Sequence, residues 1–569
     1  MPMPKARSIL VWALVFACAC EKDPNDPQTW VDKLGDRSEQ SEALHHLERM
    51  NDPGTIKPLG EIWKKQNKPS NILRVLIGVT GTAAKAGTKT AWADALPYLT
   101  DAVENFDQAA ARSIDDAVVA CDALGRSGEA GAVPTLINAA QKPLPKLHAG
   151  NRVRIACTHA LGNFHDAKVA DVLIRILETD PERQLIRLNA AAALALAESG
   201  DARALPALIN AMYFMPAIFN QVRQAVTRVG KPAIPVLLTL LQEKDPEIAK
   251  KAKDKGFDKK GPGNIVYKAA LLLGDMRAKE ALPYLTAILR TEPRIAFYDE
   301  KSGAPGPTTH EGVLGALRLI MDPGSASAVR AFWVDPKTYD GTRPTAIDVY
   351  SMLAGDDASL GDLMKFIKDE KEEQAIRLSA IIAYGRLGRS SAEEKTLADM
   401  AAGYDDRLKK AEDKVKAAKT DEQKAEADDE RQVTAYWRDA LNESRQRIAI
   451  AVECGKDPAC YAKALPPKVK DFKAGSPNLP RAERAVLELA KMGDAAKGQT
   501  DALLAGADTP ERFVRQGILL ALPRVAPLPC PKCADRLNEV IDKQADTTTL
   551  DFLTGETRIV YHYFLWAGK

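Results

Sequence analysis

The 569-residue sequence is poor in aromatic side chains, at 6%, and holds only 7 histidines. Alternating runs of β-branched residues are scarce, so no stretch reads as a half-buried strand. Beyond the first residues no apolar run reaches the roughly 18 positions that a membrane-crossing helix needs. An excess of charge is missing too: Lys plus Arg number 79 and acids 77, and loss of a leader carrying Lys5 and Arg7 would bring them level. That balance argues against a general binder of nucleic acid or of acidic surfaces. Catalytic signatures are equally thin. There is no G-x-S-x-G elbow, no H-E-x-x-H and no carboxylate-rich calcium loop. His45 and His46 are adjacent and point to different sides of a helix, and His159 and His165 are split by a turn containing Gly162. "GVTGTAAKAGTKT" fails as a phosphate loop: five residues separate Gly81 from Gly87, and Thr88 intervenes before Lys89. The sequence therefore predicts no catalytic residue, no metal ligand and no cofactor.

What is present begins at the N-terminus. Lys5 and Arg7 precede the apolar stretch Ile9 to Ala17, which is too short to span a bilayer and reads as an export signal over residues 1–17. The residues leading into Cys18 (Leu14, Val15, Phe16, Ala17) and into Cys20 resemble the lipobox of bacterial lipoproteins. That resemblance implies a lipidated cysteine, Cys18 with Cys20 as the alternative. It implies an exported protein held by lipid alone at the periplasmic face of a membrane. The absence of Asp just after either cysteine resembles outer-membrane sorting in a diderm. An acyl anchor of two or more chains holds stably where one is marginal. "EKDPNDPQ", without an aliphatic side chain, reads as part of a flexible tether over residues 18–29.

The rest is organised by repetition. "ALPYLT" occurs at Ala95–Thr100 and Ala281–Thr286, with related pieces from Ala132, Ala204 and Ala233. Their prolines are Pro97, Pro134, Pro206, Pro235 and Pro283; the first three are 37 and 72 residues apart, about one and two periods of 36. Proline suits a first helical turn, which does not need its N–H. Before each lies a second helical pattern closed by glycine, as in "IRLNAAAALALAESG" ending at Gly200. One hairpin of this kind cannot bury its own apolar face, so neighbours must stack.

The pattern Val153, Arg154, Cys157, Ala160, Leu161, Gly162 resembles HEAT-type repeats of the short, phycobilisome-lyase-like class. The likeness is plain from about Ile72 to Leu289 and returns at Ala375–Ala401 and Pro480–Leu522. It implies an all-α, right-handed α-solenoid of stacked helical hairpins. It also implies that Asp180, Arg187, Asp508 and Arg515 cross-link successive hairpins. Cys157 stands where the family usually has alanine, a small buried site. The expected organisation is a solenoid over 30–403, a charged helix or helical hairpin over 404–447, and C-terminal helical repeats over 448–569. The charged segment reads either as a solvated, salt-bridged projection or as a partner-binding coiled coil.

Six cysteines remain after the leader, an even number in an exported chain, so disulfides are expected. Cys454 with Cys460 and Cys530 with Cys533 close short loops. Cys530 and Cys533 at C-x-x-C spacing also admit a redox or metal reading, though no βαβ setting or second cysteine pair accompanies them. Cys121 and Cys157 occupy nearly equivalent places in consecutive repeats, one residue out of register, which leaves a bridge and a pair of core thiols both open. Loop insertions near 244–263 and 294–344 carry lysines and the large aromatics Phe297, Tyr298, Trp333 and Tyr339. Loops on a rigid scaffold concentrate recognition residues, so these four are the expected contacts for a protein or envelope-polymer partner. The expected function is a membrane-anchored exported scaffold that binds through a curved repeat surface or these loops. The alternative is an enzyme or lyase-like repeat protein with a site built from scattered residues.

Overall fold

Every regular element among the described residues is a helix, and extended backbone pairs only at two isolated bridges, Ile295 with Thr308 and Tyr298 with Pro305. The computed structural model describes residues 23–298, 304–339, 341–353, 358–470, 472, 475–545 and 552–569. Cys18 and Cys20 lie outside them. Among the described residues no single helix is long and apolar enough to cross a membrane. The fold is an all-α solenoid of stacked hairpins, divided into two compact units, Met1–Phe164 and His165–Lys569. Asp26 caps a helix that already begins at Pro27, and the Trp30 indole donates to the Pro24 carbonyl at 2.8 Å.

Proline and glycine act mostly as their chemistry dictates. Pro134, Pro206 and Pro283 open the helices Val133–Gln141, Leu205–Phe214 and Leu282–Ile288, each preceded by one 3-10 turn. Pro97 departs from this pattern: its helix starts at Ala91, so the proline lies inside Ala91–Glu104. Gly200 ends Ile186–Ser199 at φ 62°, where a side chain would be strained. Gly125 serves a different purpose, within the helix Ala111–Ser127. A Cβ there would meet the Cα of Ala160 at 2.9 Å, so glycine lets Asn151–Leu161 approach closely. This close approach brings Cys121 and Cys157 to a Cα separation of 4.9 Å, and they are bridged. The one-residue offset in register is thereby absorbed. Cys454 is bridged to Cys460 and Cys530 to Cys533.

The second unit closes on itself. Its inner helices follow one another from Phe219–Val229 through Asn264–Asp275, Thr309–Ile320, Arg343–Leu353 and Gln374–Leu387. They continue through Asp421–Cys454, Asn478–Met492 and Arg512–Val525 to Phe552–Trp566, which packs back on Phe219–Val229. Arg223 fastens the seam, paired with Asp275 at 2.6 Å and with Glu556 at 3.4 Å. Gly230, at φ 73°, sits under the Trp566 ring, where a Cβ would come within 2.5 Å. Arg524 donates to the Ile320 carbonyl and Lys491 to that of Ser351, so basic side chains satisfy helix C-termini across the circuit. Among the described residues, cavities of about 100 and 280 Å³ lie along this circuit, the first lined by Arg277, Arg386 and Phe513 and the second by Arg389, Lys491 and Arg524.

The charged segment is a hairpin of two long helices, Ser391–Ala417 and Asp421–Cys454, which reach beyond the expected bounds at both ends. Lys414 pairs with Glu430 across it at 2.7 Å, while Tyr404, Ala411, Ala427 and Trp437 are buried. The implied Asp–Arg cross-links are only partly realised. Asp508, just before the helix Arg512–Val525, reaches Arg536 of Pro531–Ala545 at 2.7 Å, but Arg515 donates to Thr557. Asp180 accepts from the backbone N–H of Glu182, and Arg187 is exposed.

Candidate binding pocket

Both loop insertions of the second unit meet at one place. In the first, Asp245 accepts from the N–H groups of Glu247 and Ile248 and so starts the helix Pro246–Asp254. Gly256, at φ 74°, turns the chain into the short helix Phe257–Lys260. The second insertion folds against it through the backbone bond from Gly263 N–H to Ile295 O, and its own ends are tied by Thr309 N–H to Arg294 O, both at 2.8 Å. Asn264 Nδ2 adds a bond to Ala296 O at 3.1 Å. This contact requires glycine at position 261, where a Cβ would lie 2.3 Å from the Ala296 carbonyl oxygen. Outside, Arg294 holds Glu243 through two bonds of 2.9 Å.

Between these loops and the end of Leu205–Phe214 lies a cavity of about 980 Å³. Its walls are aromatic: Phe214 packs on Phe257 at 5.7 Å, and Tyr267 meets Phe297 edge-on at 6.1 Å. Tyr213 and Phe219 complete the floor. Phe297 and Tyr298 stay 43% and 41% exposed at the mouth. Four lysines line it, Lys255, Lys259 and Lys260 at the surface and Lys268 inside, and no carboxylate does among the described residues. Lys268 is buried, donates to the Met212 carbonyl at 2.7 Å, and lies 5.0 Å over the Phe219 ring. Burial lowers this ammonium to about 8. Burial also raises the Tyr213 and Tyr267 phenols, so both stay neutral donors.

The four expected contact residues separate. Phe297 and Tyr298 form the mouth of the cavity. Tyr339 is 70% exposed on another loop and lines no part of it. Trp333 is a correction: its side chain is fully buried, packed between Tyr350 at 5.6 Å and Phe366 at 6.0 Å. It lies on the helix Ala326–Val334, whose inward face puts the ring into the core rather than on a loop. What sequence reading missed is the contribution of Tyr213, Phe214, Tyr267 and Lys268. These sit on repeat helices, where their spacing marks them as core. Near the C-terminal hairpins, Glu453, Cys454 and Cys460 cluster closely enough to share a metal ion, but both sulfurs are consumed in their bridge.

Residues 106–195 match the model of HEAT repeats, and residues 188–213 match that of the PBS lyase HEAT-like repeat. No curated protein matches the chain. Among solved structures, the CpcE–CpcF complex of phycocyanin lyase from Nostoc sp. is similar at 17% identity and a TM-score of 0.24, over 50% of this chain and 91% of that one. Kap95p, from a study of its binding to RanGDP, is similar at 11% identity and a TM-score of 0.39, over 92% and 70%. Importin beta is similar at 11% identity and a TM-score of 0.25, over 93% and 81%. At these scores the structural likenesses carry no argument about activity or partner.

Proposed function

We propose, from the premise that this chain is a HEAT-like helical repeat protein, that it is an exported, lipid-anchored scaffold that captures a protein partner at the aromatic pocket of its second unit. The observation that carries the reading is the pair Phe297 and Tyr298. Both are large and substantially exposed, and both stand at the mouth of a preformed cavity lined by repeat helices and the first insertion. Aromatic side chains supply contact area with few rotatable bonds, and interfaces draw most of their energy from such anchors. The lipid anchor rests on the residues around Cys18 and Cys20, and the balanced charge leaves no field to gather polyanions indiscriminately. Closure of the inner helices supports the loops, rather than a groove, as the place of contact.

The test is capture of envelope proteins from a membrane extract by the wild-type chain and by Phe297→Ala/Tyr298→Ala, with circular dichroism as the folding control. Loss of a discrete captured band from a folded double variant supports the reading. Equal capture by the two proteins moves the site elsewhere.

A further inference from the structure

Among the described residues, no carboxylate lines the pocket to balance its lysines. A buried ammonium is costly unless paired, and the usual partner is a carboxylate. Lys268 is 5% exposed, yet its one protein acceptor among the described residues is the Met212 carbonyl, at the end of a helix. An ammonium has three N–H donors, so two remain for whatever fills the cavity. Nearby, the buried Oδ1 of Asn264 has no donor. Lys255, Lys259 and Lys260 stand at the opening, so among the described lining residues the charge from the surface inward is positive. Aromatic walls with a single buried cation are complementary to an apolar body that carries an anionic group. The open mouth, with Phe297 and Tyr298 substantially exposed, lets an occupant continue out over the lysine rim rather than end inside.

Resting on the reading of this pocket as the partner site, we propose that its occupant is an acidic peptide segment of the partner, with an aromatic or aliphatic side chain against Phe214, Tyr267 and Phe297 and a carboxylate on Lys268. The aromatic residues supply affinity, and Lys268 selects for negative charge. The same segment without its carboxylate leaves the ammonium unpaired and is rejected.

Two probes test the chemistry directly: anilinonaphthalene sulfonate and its uncharged parent phenylnaphthylamine, both followed by fluorescence. The wild-type chain is expected to prefer the sulfonate by roughly tenfold. Lys268→Met should abolish the preference and Lys268→Arg should keep it, with circular dichroism confirming the fold of each. Lys259→Gln/Lys260→Gln, changed at exposed positions that cannot unfold the unit, should weaken the sulfonate alone. A capped hexapeptide alternating Phe with Asp should displace the sulfonate, and its Asn counterpart should not. Equal binding of the two probes, or a preference that survives Lys268→Met, overturns the proposal. Displacement by benzoate but not by the Asp peptide makes the occupant a small molecule and overturns the peptide assignment. Partner capture separates this proposal from the one beneath it. If Phe297→Ala/Tyr298→Ala captures normally, the site itself is wrong. If that variant fails while Lys268→Met captures fully, only the ligand chemistry is wrong.

Discussion

Trp333 and Tyr339 lie six residues apart in one aromatic-rich stretch, and the fold sends them to opposite environments. The difference is one of periodicity. Trp333 falls in phase with Val329, which is also buried, on the inward face of a short helix, whereas Tyr339 follows the helix end and has no such constraint. Trp333→Ala should therefore cost about 3–5 kcal/mol, as large-to-small changes in a core do. Tyr339→Ala should change stability by no more than about 0.5 kcal/mol. Chemical denaturation of both variants checks this; equal effects would mean that the aromatic cluster is one surface after all. The site is thus half legible in the sequence. Phe297 and Tyr298 announce themselves because an insertion rich in Pro, Gly and Asp has no core of its own to bury them. Lys268 does not, since one lysine amid "YKAALLLG" reads as a solvated helix position, and only the third dimension shows its burial beneath Phe219.

At the scale of elements, what a sequence expresses is local. Glycine stops, proline starts and helical spacing identify hairpins, whereas the helices Thr309–Ile320 and Ala326–Val334 fall inside the expected loop insertion near 294–344. Pairings between distant elements depend on contact geometry that no spacing records, and the Cys121–Cys157 bridge is an example. Gly125 and Ala160 set the approach of the two helices, and that approach decides the bond. Closing a loop of 36 residues removes unfolded-state entropy worth about 4 kcal/mol. Cys121→Ala/Cys157→Ala should lower unfolding stability by that order without changing helicity, and an unchanged midpoint in non-reducing denaturant would contradict it.

The helix Phe552–Trp566 makes a second case, because no repeat signal marks its seat in the circuit. His562 on it is buried, and burial, with Arg228 and Arg558 beside it, lowers its imidazole to about 3. Glu198 and Tyr561 also face this group of charges. The native state therefore holds His562 neutral while the unfolded chain takes up a proton near pH 6.5, so the contribution is present above pH 6.5 and is lost as pH falls toward 3. At pH 5 the loss amounts to about 2 kcal/mol. His562→Gln should flatten that part of the acid profile, measured by thermal unfolding between about pH 7 and pH 4. A profile as steep as that of the wild type would assign the acid sensitivity elsewhere.

For the whole molecule, anchoring and recognition are separable claims. Removal of both candidate acceptors, in Cys18→Ser/Cys20→Ser, should abolish incorporation of labelled fatty acid and leave the folded body intact; retention of label would refute the lipid anchor. Recognition is tested most directly in living cells, by a method that works whatever the partner is. A photo-reactive benzoylphenylalanine placed at position 297 or 298 reports whatever sits at the pocket mouth, and the same group at Tyr284, 40% exposed and outside the pocket, reports chance encounters. One discrete adduct is expected from positions 297 and 298, weakened by Lys268→Met, and none from position 284. No adduct at the pocket, or the same adduct from all three positions, would contradict capture of a partner there.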